Sequence, residues 1–245
     1  MKKIISLLII ISMMVLSLAS CDLVDKALEN MGKEPSGSND ATDKAVYTIT
    51  EENWAALGTI TNYTVNLYIT STVVKGDESA VIKAKSVYKS SDDAIYEKVT
   101  PISHSNENIG IYIVSSESYY MINNGKRCLV SQNQDGKWTA TESDWNIDSL
   151  LEFFSFSEEI EFSSLIYDDN LKAYTYTYEE GKTVYTINYY FKNGTLTRIY
   201  GKADYYHGEG DSESEIVDAN ISNIGVTHVV IPQLVQNDFN SSQNP

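Results

Sequence analysis

Tyr63-Thr64-Val65-Asn66-Leu67-Tyr68-Ile69-Thr70 sets Tyr63, Val65, Leu67 and Ile69 in one phase against Thr64, Asn66, Tyr68 and Thr70 in the other. Successive side chains of a strand point to opposite faces, so this period of two describes a strand with one buried and one wetted face. The pattern returns in Ile109 to Val114, Ser118 to Ile122, Arg127 to Ser131 and Lys137 to Thr141. It returns again in Tyr174 to Tyr178, Thr183 to Phe191 and Thr195 to Tyr206, rich in the β-branched and aromatic residues that strands favour. Asn124-Gly125 and Asn193-Gly194 supply the positive torsions of tight hairpin turns, and Asp135-Gly136 and Glu179-Glu180-Gly181-Lys182 join further runs. Such short links connect antiparallel neighbours, so the last three runs predict a meander.

Two segments change to helical spacing. Thr50-Glu51-Glu52-Asn53-Trp54-Ala55-Ala56-Leu57 offers a threonine N-cap, acids in the first turn and Gly58 as a stop. Asn146 to Phe154 places Ile147, Leu150, Leu151 and Phe154 at i, i+3, i+4 and i+7, one apolar stripe that Phe153 and Phe156 widen. The class expected is α+β, an antiparallel sheet with a few short helices.

The first residues carry a different message. Lys2 and Lys3 precede an apolar run from Ile4 to about Leu18, and Leu18-Ala19-Ser20-Cys21 closes it, too short and one-sided for a membrane span. The segment resembles a bacterial lipobox. That resemblance implies a signal peptide over 1–20, diacylglycerol on the Cys21 thiol, and export with a lipid anchor in the cell membrane or envelope. Residues 21–45, with Pro35-Ser36-Gly37-Ser38-Asn39-Asp40, read as lipidated cysteine and flexible tether; 46–235 as a single domain; 236–245 as a disordered tail.

Removing the leader leaves 16 basic against 34 acidic residues, a formal charge of −18. That balance opposes nucleic-acid binding, which needs a basic face, and suits solubility. With Cys21 lipidated, Cys128 has no disulfide partner and reads as a small buried residue on a strand.

A search for catalytic patterns returns little. His104, His207 and His228 are far apart, outside any HExxH pair, and no GxSxG, SxxK, phosphate loop or dinucleotide fingerprint occurs. The run from His207 to Glu215 alternates oxygen ligands beside two glycines, which fits a calcium ion or, more simply, a solvated hairpin tip; its spacing is not that of an EF-hand. No enzyme, metal or cofactor is expected. Trp54, Trp138 and Trp145 are dispersed and add little, whereas Tyr174, Tyr176 and Tyr178 share one face of their strand and Tyr185 and Tyr189 one face of theirs, which allows an aromatic strip across the meander.

The order of these parts, from a short helix through many antiparallel strands and a mid-chain apolar helix to a last strand set ending in Asn223-Ile224-Gly225 and Ile231-Pro232, resembles the lipoprotein-carrier superfamily. Trp54 to Tyr63 and Ile221 to Pro232 carry the likeness most directly. It implies a strongly curved antiparallel half-barrel, helices covering its concave face, and an apolar cavity between them. On it, Ile147, Leu150, Leu151 and Phe154 map to the covering helix and Val65, Leu67 and Ile69 line the sheet. The expected function is non-catalytic binding of an apolar ligand such as a lipid. The alternative is a surface module that meets glycan or protein through exposed tyrosines of the Tyr174 to Tyr206 meander, and plain core packing is the simpler account of the helix stripe.

Overall fold

A computed structural model describes residues 45–104, 114–123, 125–132, 136–154, 160–208, 211–232 and 235. Cys21 with the predicted leader and tether, all of the strand expected from Ile109 to Val114 except Val114, which is exposed and outside any strand, Asn124, Asp135, Phe156 and the tail from Gln236 lie outside the described residues.

The chain builds β1 (Tyr63–Lys75), β2 (Glu78–Ser90), β3 (Ala94–His104), β4 (Ser116–Asn123), β5 (Lys126–Gln132) and β6 (Trp138–Glu142). Further along the chain come β7 (Ile166–Asp168), β8 (Ala173–Glu180), β9 (Thr183–Lys192), β10 (Thr195–Gly208) and β11 (Asp211–Ser222). They form one sheet in the order β6-β5-β4-β3-β2-β1-β11-β10-β9-β8-β7. Every neighbouring pair is antiparallel. Two meanders are thus joined through β1 and β11, and the short β6 and β7 stand at its two ends, so the sheet is not closed into a barrel. Short edge strands leave few unpaired backbone groups for a stray chain to pair with.

Local chemistry sets the hairpins. Asn193 and Gly194 both hold positive φ, 51° and 78°, as a two-residue hairpin turn of the right twist requires. The same asparagine ties down the start of the domain: its N–H donates to Val46 O at 2.7 Å and its Oδ1 accepts from Val46 N at 2.9 Å. β2 and β3 are strands that the sequence pattern does not single out. The buried phase of β2 is Ala80, Ile82, Ala84, Ser86, Tyr88 and Ser90, so small and hydroxylic side chains blunt the contrast that marks a strand.

Residues opposite one another in an antiparallel pair share a face. Tyr174, Tyr189, Ile199, Ala219, Leu67 and Ser86 therefore form a row across one face, called inner here. The main core lies on it, built from Tyr63, Val65, Leu67, Ile69, Ile187, Tyr189, Phe191 and Ile199 with helical and loop residues. A smaller core occupies the other face near one end, where Tyr119, Cys128, Val130 and Trp138 pack with Val235. Cys128 is buried on β5, as its sequence setting leads one to expect.

The helices are shorter than their sequence spacing predicts. α1 (Glu51–Ala56) begins at Thr50, whose Oγ1 accepts from Asn53 N while Asn53 Oδ1 accepts from Thr50 N, a reciprocal cap. Gly58 does not stop it with a left-handed residue; the chain tightens into a 3₁₀ turn over Leu57–Thr59. The helix expected from Asn146 to Phe154 is a single turn, α2 (Leu150–Phe153). Ser149 caps it, with Oγ accepting from Glu152 N and Glu152 Oε2 accepting from Ser149 N, and residues 143–149 are irregular. Ile147 therefore lies outside the helix. The Leu150 N–H, free of intrahelical duty in the first turn, donates to Ile60 O at 2.7 Å and ties the two helical segments together.

Candidate functional site

All seven apolar residues singled out in the sequence meet in one place. Val65, Leu67, Ile69, Leu150 and Phe154 are buried members of the main core, and Ile147 and Leu151 pack against it half-buried. The spacing argument for one continuous helical stripe fails, yet its residues join one core, and just before α2 Asp148 O accepts from Tyr63 OH at 3.2 Å. Phe153, treated in the sequence as an extension of the stripe, is more central than Ile147: its ring sits 4.4 Å from that of Tyr88 and 5.8 Å from that of Tyr63.

The tryptophans matter more than their scatter indicates. Trp54 projects from α1 into the core, donates its indole N–H to Ile160 O at 2.9 Å and meets Tyr189 edge-on at 5.0 Å. Trp138 and Trp145 are also buried. The tertiary fold alone brings them to the sheet, and strongly aromatic single residues in otherwise polar stretches were the available signal.

The tyrosines of the meander gather into a strip across it: Tyr178 is opposite Tyr185 and Tyr174 is opposite Tyr189, all on the inner face. The Tyr178 and Tyr185 rings lie parallel within 6° at 4.5 Å, Tyr176 is 5.5 Å from Tyr178, and Tyr185 meets Tyr205 edge-on at 6.2 Å. Tyr189 is wholly buried, and burial pushes its hydroxyl well above the usual phenol range. The outer face carries its own set: Tyr68 with Lys85 over its ring, and Tyr190 and Tyr200 flanking the Arg198 guanidinium at 5.1 and 5.9 Å. Arg198 in turn donates through Nε and Nη2 to Asp218 at 2.7 and 2.9 Å.

Away from the helices the inner face changes character. Ser71, Ala80, Ala84, Ala203 and Gly201 are buried there, and Glu215 of β11 is 1% exposed. This corrects the reading of the whole 207–215 run as a solvated tip. Asp211 does sit exposed at the hairpin, but Glu213 and Glu215 continue the phase of Val217, Ala219 and Ile221, which faces inward. Extending the alternation of β11 back through the acidic run would have found them. Tyr205 OH donates to Glu215 Oε2 at 3.2 Å, while Oε1 has no hydrogen-bond partner among the described residues. Loss of water on burial, with the Glu213 charge nearby, pushes the Glu215 carboxyl up to about 8, so at neutral pH it is held largely as the uncharged acid. Among the described residues no group of three or more His, Cys, Asp or Glu is arranged to hold a metal ion.

No family model matches the chain, and no curated protein matches it.

Proposed function

We propose that this chain is an exported binding protein, anchored through a lipidated Cys21 and without a catalytic role, that takes an apolar ligand such as a lipid on the inner face of its sheet. In this reading the sheet is a curved half-barrel and α1 and α2 cover its concave side. The observation that carries it is the convergence of Val65, Leu67, Ile69, Ile147, Leu150, Leu151 and Phe154 on one face of an open sheet, continuing into the small side chains Ala80, Ala84 and Ala203. Large side chains fill the first half, whereas over the second Ser71, Ala80 and Ala203 stand opposite Ile82, Val73 and Tyr185, and apolar ligands favour concave sites lined by such apolar and aromatic residues.

The test is mass spectrometry of an organic extract from purified, folded residues 41–245. A lipid at one equivalent supports the reading, and an empty extract from a monodisperse sample overturns it. Leu151→Asp should abolish the lipid signal with circular dichroism unchanged, because Leu151 is only half-buried and its replacement leaves the deepest core intact.

A second reading, recognition of glycan or protein by exposed tyrosines, is favoured by the outer face. There Tyr68, Tyr190 and Tyr200 present rings beside Lys85, Arg198 and Asp218, the mixture of stacking surface and hydrogen-bonding groups that sugars require. Tyr176, on the inner face and packed on the core, does not serve this role. Glycan-array binding lost in Tyr200→Ala, with no lipid in the extract, would replace the first reading by the second.

A further inference from the structure

We propose that the far end of the inner face, around Glu215, Glu213, Tyr205, Tyr185 and Tyr178, is a binding site for an organic ammonium group. This goes beyond the lipid reading and does not depend on it. Glu215 is a carboxylic acid 1% exposed to solvent, with one oxygen accepting from Tyr205 OH and the other without a partner among the described residues. Burying a polar atom without a hydrogen bond is costly, so such an atom on a carboxyl group beside a second carboxyl marks a place that a donor would satisfy. No Lys or Arg of the described residues forms an ion pair with it. Glu213 lies two residues along the same face and accepts from Ser71 Oγ at 3.4 Å, which places a second carboxyl beside the first.

The surroundings select the kind of cation. Calcium takes six to eight oxygen ligands and zinc seeks a compact set of His and Cys. Two carboxyls beside two hydroxyls fall short of the first, and no group of three or more such ligands is found among the described residues. Tyr205 instead touches Glu215 through its hydroxyl and meets the Tyr185 ring edge-on, and Tyr185 in turn stacks parallel on Tyr178 one strand further from the acids. Aromatic faces beside a carboxylate attract an ammonium ion through the ring quadrupole and through charge, and desolvation strengthens both. An ammonium N–H would also donate to the vacant Oε1 and hold Glu215 in its charged form.

The full chain, purified in a non-ionic detergent, is titrated by calorimetry with cadaverine, with choline and with calcium chloride. Saturable binding of either ammonium probe, weakened at least tenfold in Glu215→Gln and severalfold in Tyr185→Leu, is the expected result. Both variants are checked for native circular dichroism and a cooperative thermal transition, and Glu215→Gln removes a buried ionisable group with little change of shape. No binding of either probe at millimolar concentration overturns the proposal. So does ammonium binding that survives Glu215→Gln, or calcium binding that disappears in it. A lipid in the extract without ammonium binding would leave the lipid reading standing and this one refuted.

Discussion

The two halves of the inner face are built on the same strands from opposite materials. Beside the helices, Trp54, Tyr63, Tyr88, Tyr189, Phe153 and Phe191 interlock as large rings over Val65 and Leu67. Toward the β1–β2 hairpin the same phase mixes Val73, Ile82 and Tyr185 with Ser71, Ala80, Ala84, Ala203 and a buried carboxyl. The first half is what stability asks for, since burying each large side chain contributes about 1.5–3 kcal/mol. The second forfeits that gain and adds the desolvation of Glu215. A fold that tolerates such a residue in a sheet otherwise well packed keeps it at the expense of stability, and such sites are commonly where function is found.

If the aromatic half carries the stability, Trp54→Ala should cost the most, about 3–5 kcal/mol in urea unfolding, because it empties a large buried volume and orphans Ile160 O. A loss below about 1 kcal/mol would show that the far half carries as much of the load. For that half the expectation concerns pH. The folded-state pKa of Glu215 is raised from 4.5 to about 8, so the native state binds more protons than the unfolded chain between those values. Its contribution therefore favours the folded protein at low pH and is lost as pH rises from about 5 to 9, a change on the order of a few kcal/mol. Thermal melts across that range should show the decline, and Glu215→Gln should flatten it. An equal decline in the variant would place the titration elsewhere.

Smaller effects sharpen the contrast. Ser149→Ala removes the cap that starts α2 beside the aromatic half and should cost about 1 kcal/mol by denaturant titration, with Glu152→Gln doing less because its side chain still accepts from Ser149 N. On the outer face Arg198→Lys breaks a two-pronged pair with Asp218, but the guanidinium is a third exposed, so the expected loss is under about 1 kcal/mol. A larger cost there would mean that the tyrosine-flanked arginine is part of the packing and not a surface feature.

Much of the sheet was legible in the sequence. The alternation of Tyr63 to Thr70 becomes β1, the three tyrosine-rich runs become β8, β9 and β10, and Asn193-Gly194 turns as its residue types require. β2 was faint because alanine and serine on its buried side lower the contrast on which pattern reading depends. The helix at Leu150 was overextended because spacing at i, i+3, i+4 and i+7 cannot tell a helical stripe from residues gathered by an irregular chain. Ser149, the better signal, marked the true start.

The candidate site divides along the same line. That Val65, Leu67, Ile69, Leu150 and Phe154 are inward follows from periodicity and hydrophobicity, both local properties that a chain carries before it folds. That they share one core with Trp54, and that Glu215 and Tyr205 meet across strands, follows from strand order and register. Pairing β1 with β11 joins residues some 150 positions apart, such as Val65 and Ile221, and no local preference encodes that choice. It is the burial of one common face that selects it, because a slip of one residue would turn every inward side chain toward water.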